Sequence, residues 1–127
     1  MKRDIEENAE TIRHLHARIK KSVKTRDASP LKRREWELAC QEFHARYEAL
    51  SFPCDFREAL QKIDSGDQLS VESALCFVEL RPYFYRSGYM YKDLIRKLKN
   101  ATLDGSHRER RDAIISAYHQ WRAGNRT

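Results

Sequence analysis

The chain has 127 residues, of which 40% are hydrophobic and 35% are charged. This length supports one domain with one hydrophobic core and is short for two. No apolar run approaches the roughly 18 residues that a membrane-spanning helix needs. The first ten residues, MKRDIEENAE, lack the apolar stretch of a secretory signal peptide. We therefore expect a soluble, cytoplasmic protein.

The charge is distributed unevenly along the chain. Residues 1–35 carry a net charge of +5, residues 36–80 of −6, and residues 81–127 of +7. The acidic middle can neutralise the basic ends inside the fold, or it can form an acidic face opposite a basic one. In both cases the molecule is more polarised than its overall net charge of +6 indicates.

The first predicted helix covers 4–25. Acidic residues crowd its start and lysines crowd its end, which is the order that the helix dipole favours. Its apolar stripe is thin and contains Ile5, Ile12 and Ile19, which are seven residues apart. The helix is therefore either a semi-independent arm or a core element, and its heptad-like stripe also fits a homodimer that pairs through this helix.

The second predicted helix covers 30–50. It begins at Ser29 and Pro30, because Ser is a favoured N-cap and Pro fits the first helical position, where its missing N–H costs nothing. The apolar residues that follow recur every three or four positions. This pattern predicts that the second helix is the central helix of the fold.

The shorter helices that follow are predicted at 56–65, 70–80, 89–99 and 107–123. Asp55 is expected to cap the first of these and Asp67 the second, while Gly66 supplies the left-handed residue between them. The helix over 70–80 is apolar on much of its surface, which predicts burial on two sides. Ser106 and Glu109 have the spacing of a capping box for the last helix. The last three residues are expected to fray.

Helices of about 10–20 residues joined by short loops stack as antiparallel neighbours. We therefore predict an all-α protein with a single compact domain over 1–127. Its six or so helices form either an irregular antiparallel bundle or a short array of helical hairpins of the solenoid kind. The predicted core consists of Trp36, Phe43, Tyr47, Phe56, Leu60, Leu75, Val78, Leu94, Leu98, Ile114 and Trp121.

Residues that could carry catalysis or hold a metal are scattered along the chain. The sequence has no glycine-rich phosphate loop and no HExxH, GxSxG or EF-hand motif. His14 and His16 point to different faces of one helix. Cys40, Cys54 and Cys76 lack a CxxC spacing and are expected to be buried, reduced thiols. We therefore predict that the protein is not an enzyme and uses no metal or cofactor.

The segment 81–99 concentrates aromatic and basic side chains, with five aromatic residues between positions 83 and 91. Tyr83, Phe84 and Tyr91 can simply fill the core. Alternatively, Tyr and Arg are favoured where proteins dock, and Tyr rings also stack on unpaired bases while cations contact phosphates. The candidate partner-binding residues are Tyr83, Tyr85, Arg86, Tyr89, Lys92 and Arg96.

A second basic cluster spans 13–34 and holds nine positive charges against one acid, Asp27. Two interpretations are open. The charges can form a surface that contacts successive phosphates of a nucleic acid, or they can neutralise the acidic helices two to four. A membrane-surface helix is disfavoured because the first helix has no aromatic anchor. The candidate phosphate-binding residues are Arg18, Lys20, Lys21, Lys24, Arg33 and Arg34.

These patterns favour a non-catalytic binding protein. Our leading expectation is a small helical adaptor, inhibitor or immunity-type module that docks a protein partner through its Tyr/Arg-rich turn, with its polarised charge steering the encounter. The alternative is an RNA- or DNA-binding protein that uses the basic segments 13–34 and 81–99. The choice depends on whether Tyr85 and Tyr89 are exposed, which the sequence leaves open.

Overall fold

The computed structural model describes residues 1–124, and this part of the chain is all-helical. Its helices are α1 (Lys2–Val23), α2 (Pro30–Ser51), α3 (Phe56–Lys62), α4 (Gln68–Leu80), α5 (Ser87–Asn100) and α6 (Gly105–Gly124). The predicted all-α class and compact helical bundle are confirmed. None of the helices within 1–124 is both long and apolar enough to cross a membrane. The fraying expected for 125–127 lies outside the described residues.

Local sequence signals determine where several helices begin. Ser29 caps α2, Asp55 caps α3 and Asp67 caps α4. Each side chain accepts a hydrogen bond from the backbone N–H three residues later, which satisfies a donor that has no partner inside the helix. Gly66 follows α3 with a φ of 75°, a left-handed conformation in which glycine has no steric cost. These expectations are confirmed.

Two helix starts differ from the prediction. α5 begins at Ser87 because the Ser87 hydroxyl accepts a hydrogen bond from the N–H of Phe84 at 3.0 Å and closes a tight turn. α6 begins at Gly105, so the capping box predicted at Ser106 is wrong. The backbone oxygen of Asp104 instead accepts the first N–H bond of that helix.

α4 is the central helix of the fold. It packs against α1, α3, α5 and α6, and every residue from 73 to 78 is buried. The predicted burial of this helix on two sides is confirmed. The prediction that α2 is central is wrong, because α2 packs mainly on α1. It buries only Ala39, Phe43 and Ser51.

The predicted core residues fall into two groups, those that are buried and those that are not. Phe43, Leu75, Val78, Leu94 and Leu98 are buried. The following predicted core residues are only half-buried or exposed: Trp36, Tyr47, Phe56, Leu60, Ile114 and Trp121. They lie on α2, α3 and α6, each of which packs against fewer helices than α4 does.

The two tryptophans show why the periodic pattern alone was insufficient. Trp36 lies in the outer part of the α1–α2 hairpin, where the guanidinium of Arg26 lies 4.7 Å from its ring centre. Trp121 is 50% exposed and the guanidinium of Arg81 lies 4.9 Å from its ring. In both cases a cation lies over the ring, and the Trp121 ring also stacks on Tyr118.

α1 contributes to the main core. Ile5, Ala9, Ile12 and Leu15 are buried where α1 packs on α2 and α4. The stripe considered for pairing with a second copy is therefore largely covered within the chain, with Ile5 and Ile12 at 5% and 0% exposure. A homodimer through α1 stays a prediction.

The three cysteines are free thiols. Cys76 is buried within α4, but Cys40 and Cys54 are only half-buried, so the expectation of three buried thiols is wrong. Cys40 is partly exposed because α2 is covered mainly by α1. Across the described residues, no group of three His, Cys, Asp or Glu side chains is arranged to hold a metal ion.

Candidate functional site

The aromatic segment and part of the basic cluster meet at one groove of about 630 Å³. It lies between α1 and the turn that joins α4 to α5. The lining residues are Arg13, His16, Ala17, Lys20, Tyr83, Phe84, Tyr85, Arg86, Gly88, Tyr89 and Lys92. No Asp or Glu is among these described lining residues. We call this site the basic groove.

Two side chains from other helices hold the aromatic turn in place. Arg13 of α1 donates a hydrogen bond to the backbone oxygen of Tyr83 at 2.8 Å. Tyr47 of α2 donates from its hydroxyl to the backbone oxygen of Tyr85 at 2.6 Å. Between these two anchored residues, Phe84 is buried at 6% exposure. The turn is therefore fixed by α1, α2 and the core together.

The tyrosines of the basic groove are presented to solvent. Tyr83 and Tyr89 are 81% and 73% exposed, and Tyr85 is 43% exposed. The prediction that Tyr83 fills the core is wrong, because Phe84 takes the inward position of the turn. The ring of Tyr85 packs on His16 at 5.1 Å between ring centres. The groove therefore has two largely free rings beside one that is partly supported.

The cations of the basic groove have no carboxylate partner among the described residues. Within 1–124, Arg13, Lys20, Arg86 and Lys92 make no ion pair with a carboxylate, unlike most arginines of the α1–α2 hairpin. Arg96 differs from these residues. It does not line the groove and pairs with Asp93 at 3.2 Å. Five of the six predicted partner-binding residues thus come together, and Arg96 does not.

The arginines and the lysines among the predicted phosphate-binding residues differ in whether they form ion pairs. The arginines are Arg18, Arg33 and Arg34, and the lysines are Lys20, Lys21 and Lys24. The arginines pair with Glu42, Asp27 and Glu37 respectively. The first pair joins α1 to α2, the second joins the connecting loop to α2, and the third lies within α2. The lysines form no ion pair among the described residues. The charges of these arginines are therefore neutralised within the fold, whereas within 1–124 the three lysines keep a positive charge without a carboxylate partner.

Arg13 and His16 line the basic groove, although neither is among the site residues predicted from the sequence. His16 packs between Tyr85 and Phe43, with ring centres 5.1 and 5.6 Å away. Burial, with the nearby charge of Lys20, holds the pKa of His16 below its ordinary value, so the imidazole is neutral at neutral pH. The signal in the sequence was the spacing of Arg13, His16 and Lys20, which places them on one helix face.

Acidic side chains cluster elsewhere, between α4 and α6. Glu72 accepts hydrogen bonds from Arg110 at 2.7 Å and from His107 at 2.9 Å. Arg110 also binds Glu79 at 2.6 Å. The Arg110 guanidinium holds the pKa of both carboxyls below the usual value. This network fastens α6 to α4, and neither Glu72 nor Glu79 is among the residues that line the basic groove.

Comparison of the chain with known proteins finds no matching family model, no similar curated protein and no similar solved structure. Function is therefore inferred from three properties of the basic groove: its concave shape, its exposed tyrosine rings, and a lining that, among the described residues, contains cations but no Asp or Glu.

Proposed function

We propose that the protein is a non-catalytic binding protein that holds single-stranded nucleic acid in the basic groove. The observation that carries this proposal is the position of the free rings of Tyr83 and Tyr89 beside Arg13, Lys20 and Lys92. Unpaired bases stack on exposed aromatic rings, which contributes about 1–3 kcal/mol per base. Cations along the same groove contact the phosphates between those bases.

A single strand fits these features better than a duplex does. The base faces of a duplex are covered by their own stacking, so exposed tyrosine rings could not reach them without unpairing the helix. In the groove, Lys20 comes from α1 and Lys92 from α5, so two different helices supply its cations. Phosphates on both sides of a stacked base can thus meet a positive charge.

A protein partner, the leading expectation from the sequence, is the second candidate. The observation that favours it is the pairing of Arg86 with Tyr85, whose ring lies 5.3 Å from the guanidinium. Arg86 is held with a φ of 67°, so the turn presents a defined Tyr–Arg pair of the kind that dominates protein interfaces. An acidic protein segment would then occupy the groove.

The test is fluorescence anisotropy with labelled single-stranded RNA and DNA across a salt series. We expect binding that weakens with salt, with a log–log slope of about −0.7 per phosphate contacted. Replacing both Tyr83 and Tyr89 by Ala is expected to weaken binding about tenfold or more. The melting temperature of this variant should stay unchanged, because both rings are exposed.

The matched control replaces the same two tyrosines by Phe, which keeps the stacking rings and removes only the hydroxyls. This variant should retain the affinity for the oligonucleotide. Absence of wild-type binding at low salt would overturn the proposal. Binding of an acidic peptide instead, abolished by Tyr85→Ala or Arg86→Ala with stability intact, would establish the second candidate.

A further inference from the structure

The face of α1 that lines the basic groove continues beyond it as a row of cations. Arg13 and Lys20 belong to the groove wall, and Lys24 follows four residues after Lys20. Lys24 keeps helical backbone angles, with φ −64° and ψ −29°, so it lies on the same face as Lys20. From Arg13 to Lys24 the row extends about 16 Å along the helix axis. It leads towards the loop between α1 and α2.

The positive charges of the lysines in this row are not neutralised by carboxylates of the described chain. Lys20 and Lys24 form no ion pair within the described chain, whereas Arg18, on the side of α1 that faces α2, pairs with Glu42. No Asp or Glu occurs in α1 between Arg13 and Lys24. Neighbouring like charges repel each other, and an anionic ligand lying along the row would remove that repulsion.

In the opposite direction the same helix becomes acidic. The surface next to Arg13 on the N-terminal side of α1 is a depression lined by Glu6, Glu7 and Glu10. Glu6 lies seven residues before Arg13 and therefore shares its face of the helix. A phosphate chain leaving the groove along α1 towards the N-terminus would meet these carboxylates, and one leaving towards Lys24 would meet none.

A strand bound in the basic groove could also leave it along α5 instead of along α1. Lys92, Arg96 and Lys99 recur every three or four residues and share one side of that helix. However, Asp93 lies next to Lys92 and pairs with Arg96 at 3.2 Å. A strand that follows α5 would therefore have to displace an existing ion pair beside a carboxylate. The path along α1 meets no carboxylate between Arg13 and Lys24; Asp27, which pairs with Arg33 at 3.0 Å, lies beyond Lys24 in the loop.

We propose that a single strand bound in the basic groove continues along α1 towards the loop at 24–29, with its phosphates over Lys20 and Lys24. This inference rests on the proposed function, because it concerns where the same strand leaves the groove. It assigns the outer part of the α1–α2 hairpin to the binding surface. The footprint then extends about 16 Å along α1 rather than ending at the tyrosine rings.

The experiment measures the affinity of single-stranded oligonucleotides of increasing length for the wild-type protein and for Lys24→Gln. Wild-type affinity should rise with length beyond the oligonucleotide that just fills the groove. Lys24→Gln should remove that additional rise, lower the salt slope for long strands by about 0.7, and leave the shortest strand unaffected. Arg57→Gln removes the same charge from α3, which supplies no residue to the groove, and should bind like the wild type.

The alternative outcomes are distinct. A weakening confined to long strands in Lys99→Gln, with Lys24→Gln behaving like the wild type, would place the strand along α5 and overturn the inference. An equal effect of Lys24→Gln at every length, or a wild-type affinity that does not rise with length, would also overturn it. Each of these results would overturn only the path along α1, and the basic groove would remain the binding site. Failure of the wild-type protein to bind any oligonucleotide would overturn the proposed function as well.

Discussion

The hydroxyl of Tyr47 donates a 2.6 Å hydrogen bond to the backbone oxygen of Tyr85. The Tyr47 ring stacks on Phe43 at 5.3 Å and meets Phe84 edge-on at 6.1 Å. Burial raises the pKa of Tyr47, so its hydroxyl remains a donor at neutral and mildly alkaline pH. None of the described lining residues of the basic groove comes from α2. Through the Tyr47 hydrogen bond, α2 nevertheless determines where the backbone of Tyr85 lies in the groove wall.

Removing this hydroxyl should therefore affect both stability and binding. Tyr47→Phe keeps the ring packing and deletes the hydrogen bond, which should lower the free energy of unfolding by about 1 kcal/mol. It should also weaken oligonucleotide binding, because Tyr85 loses an anchor. Urea denaturation measures the first effect and anisotropy the second. Tyr118→Phe, on α6 outside the groove, is the control, and an equal effect of the two variants would contradict the role of Tyr47.

The division of the phosphate-binding candidates into lysines and arginines predicts that the two sets affect binding differently. Changing Lys20, Lys21 and Lys24 together to Gln should weaken binding to all sequences. It should also flatten the salt dependence, by about 0.7 in slope for each phosphate that is no longer neutralised. The melting temperature should stay near that of the wild type, because these lysines make no ion pair within 1–124.

The matched triple variant changes Arg18, Arg33 and Arg34 to Gln and removes the same total charge. It should retain more of the binding and lose a little stability instead, because the Arg18–Glu42 and Arg33–Asp27 pairs, which join α2 to α1 and to the loop, are broken. Thermal denaturation and anisotropy separate the two effects. If both triple variants weaken binding equally, the total positive charge controls binding, rather than the positions of these three lysines.

His16 predicts a pH dependence. Because its pKa is lowered from 6.5 in the folded protein, the unfolded chain takes up this proton first as the pH falls. Stability should therefore decline as the pH drops below about 6.5, until the folded-state pKa is also passed. His16→Gln should show a shallower decline. The measurement is the urea midpoint at pH 7.5 and 5.5 for both proteins, and parallel profiles would exclude a contribution from His16.

Arg110 predicts how firmly α6 is attached. Arg110→Met retains the apolar stem but leaves Glu72 and Glu79 without their shared guanidinium, so it should cost about 1–3 kcal/mol of stability. Because the pKa values of both carboxyls are lowered, this contribution should be present above about pH 4.5 and disappear as the pH falls.

Urea denaturation and hydrogen exchange of the α6 amides measure this attachment. Arg108→Met is the control, since Arg108 is exposed on the same helix. The proposed oligonucleotide binding should be unaffected by either change, because α6 contributes nothing to the basic groove. If Arg110→Met is no less stable than Arg108→Met, other contacts hold α6 in place.

Local interactions within a few residues determined much of this fold, and they could be predicted. The caps at Ser29, Asp55 and Asp67 were predictable because each side chain bonds a backbone N–H three residues away. The burial of α4 was predictable because an apolar helix surface must be covered. The types of residue that build the basic groove were also visible, since Tyr83, Tyr89 and their neighbouring cations are clustered in the sequence.

Only the tertiary structure decided which of these residues act together. Arg13 and Tyr83 are 70 residues apart in the chain, yet one donates to the backbone of the other. Arg18 is paired with Glu42, while Lys20 has no carboxylate partner within 1–124, because of which side of α1 faces α2. Such contacts form where helices cross. A helical period describes one helix at a time, so it carries no information about the distances between side chains of two helices.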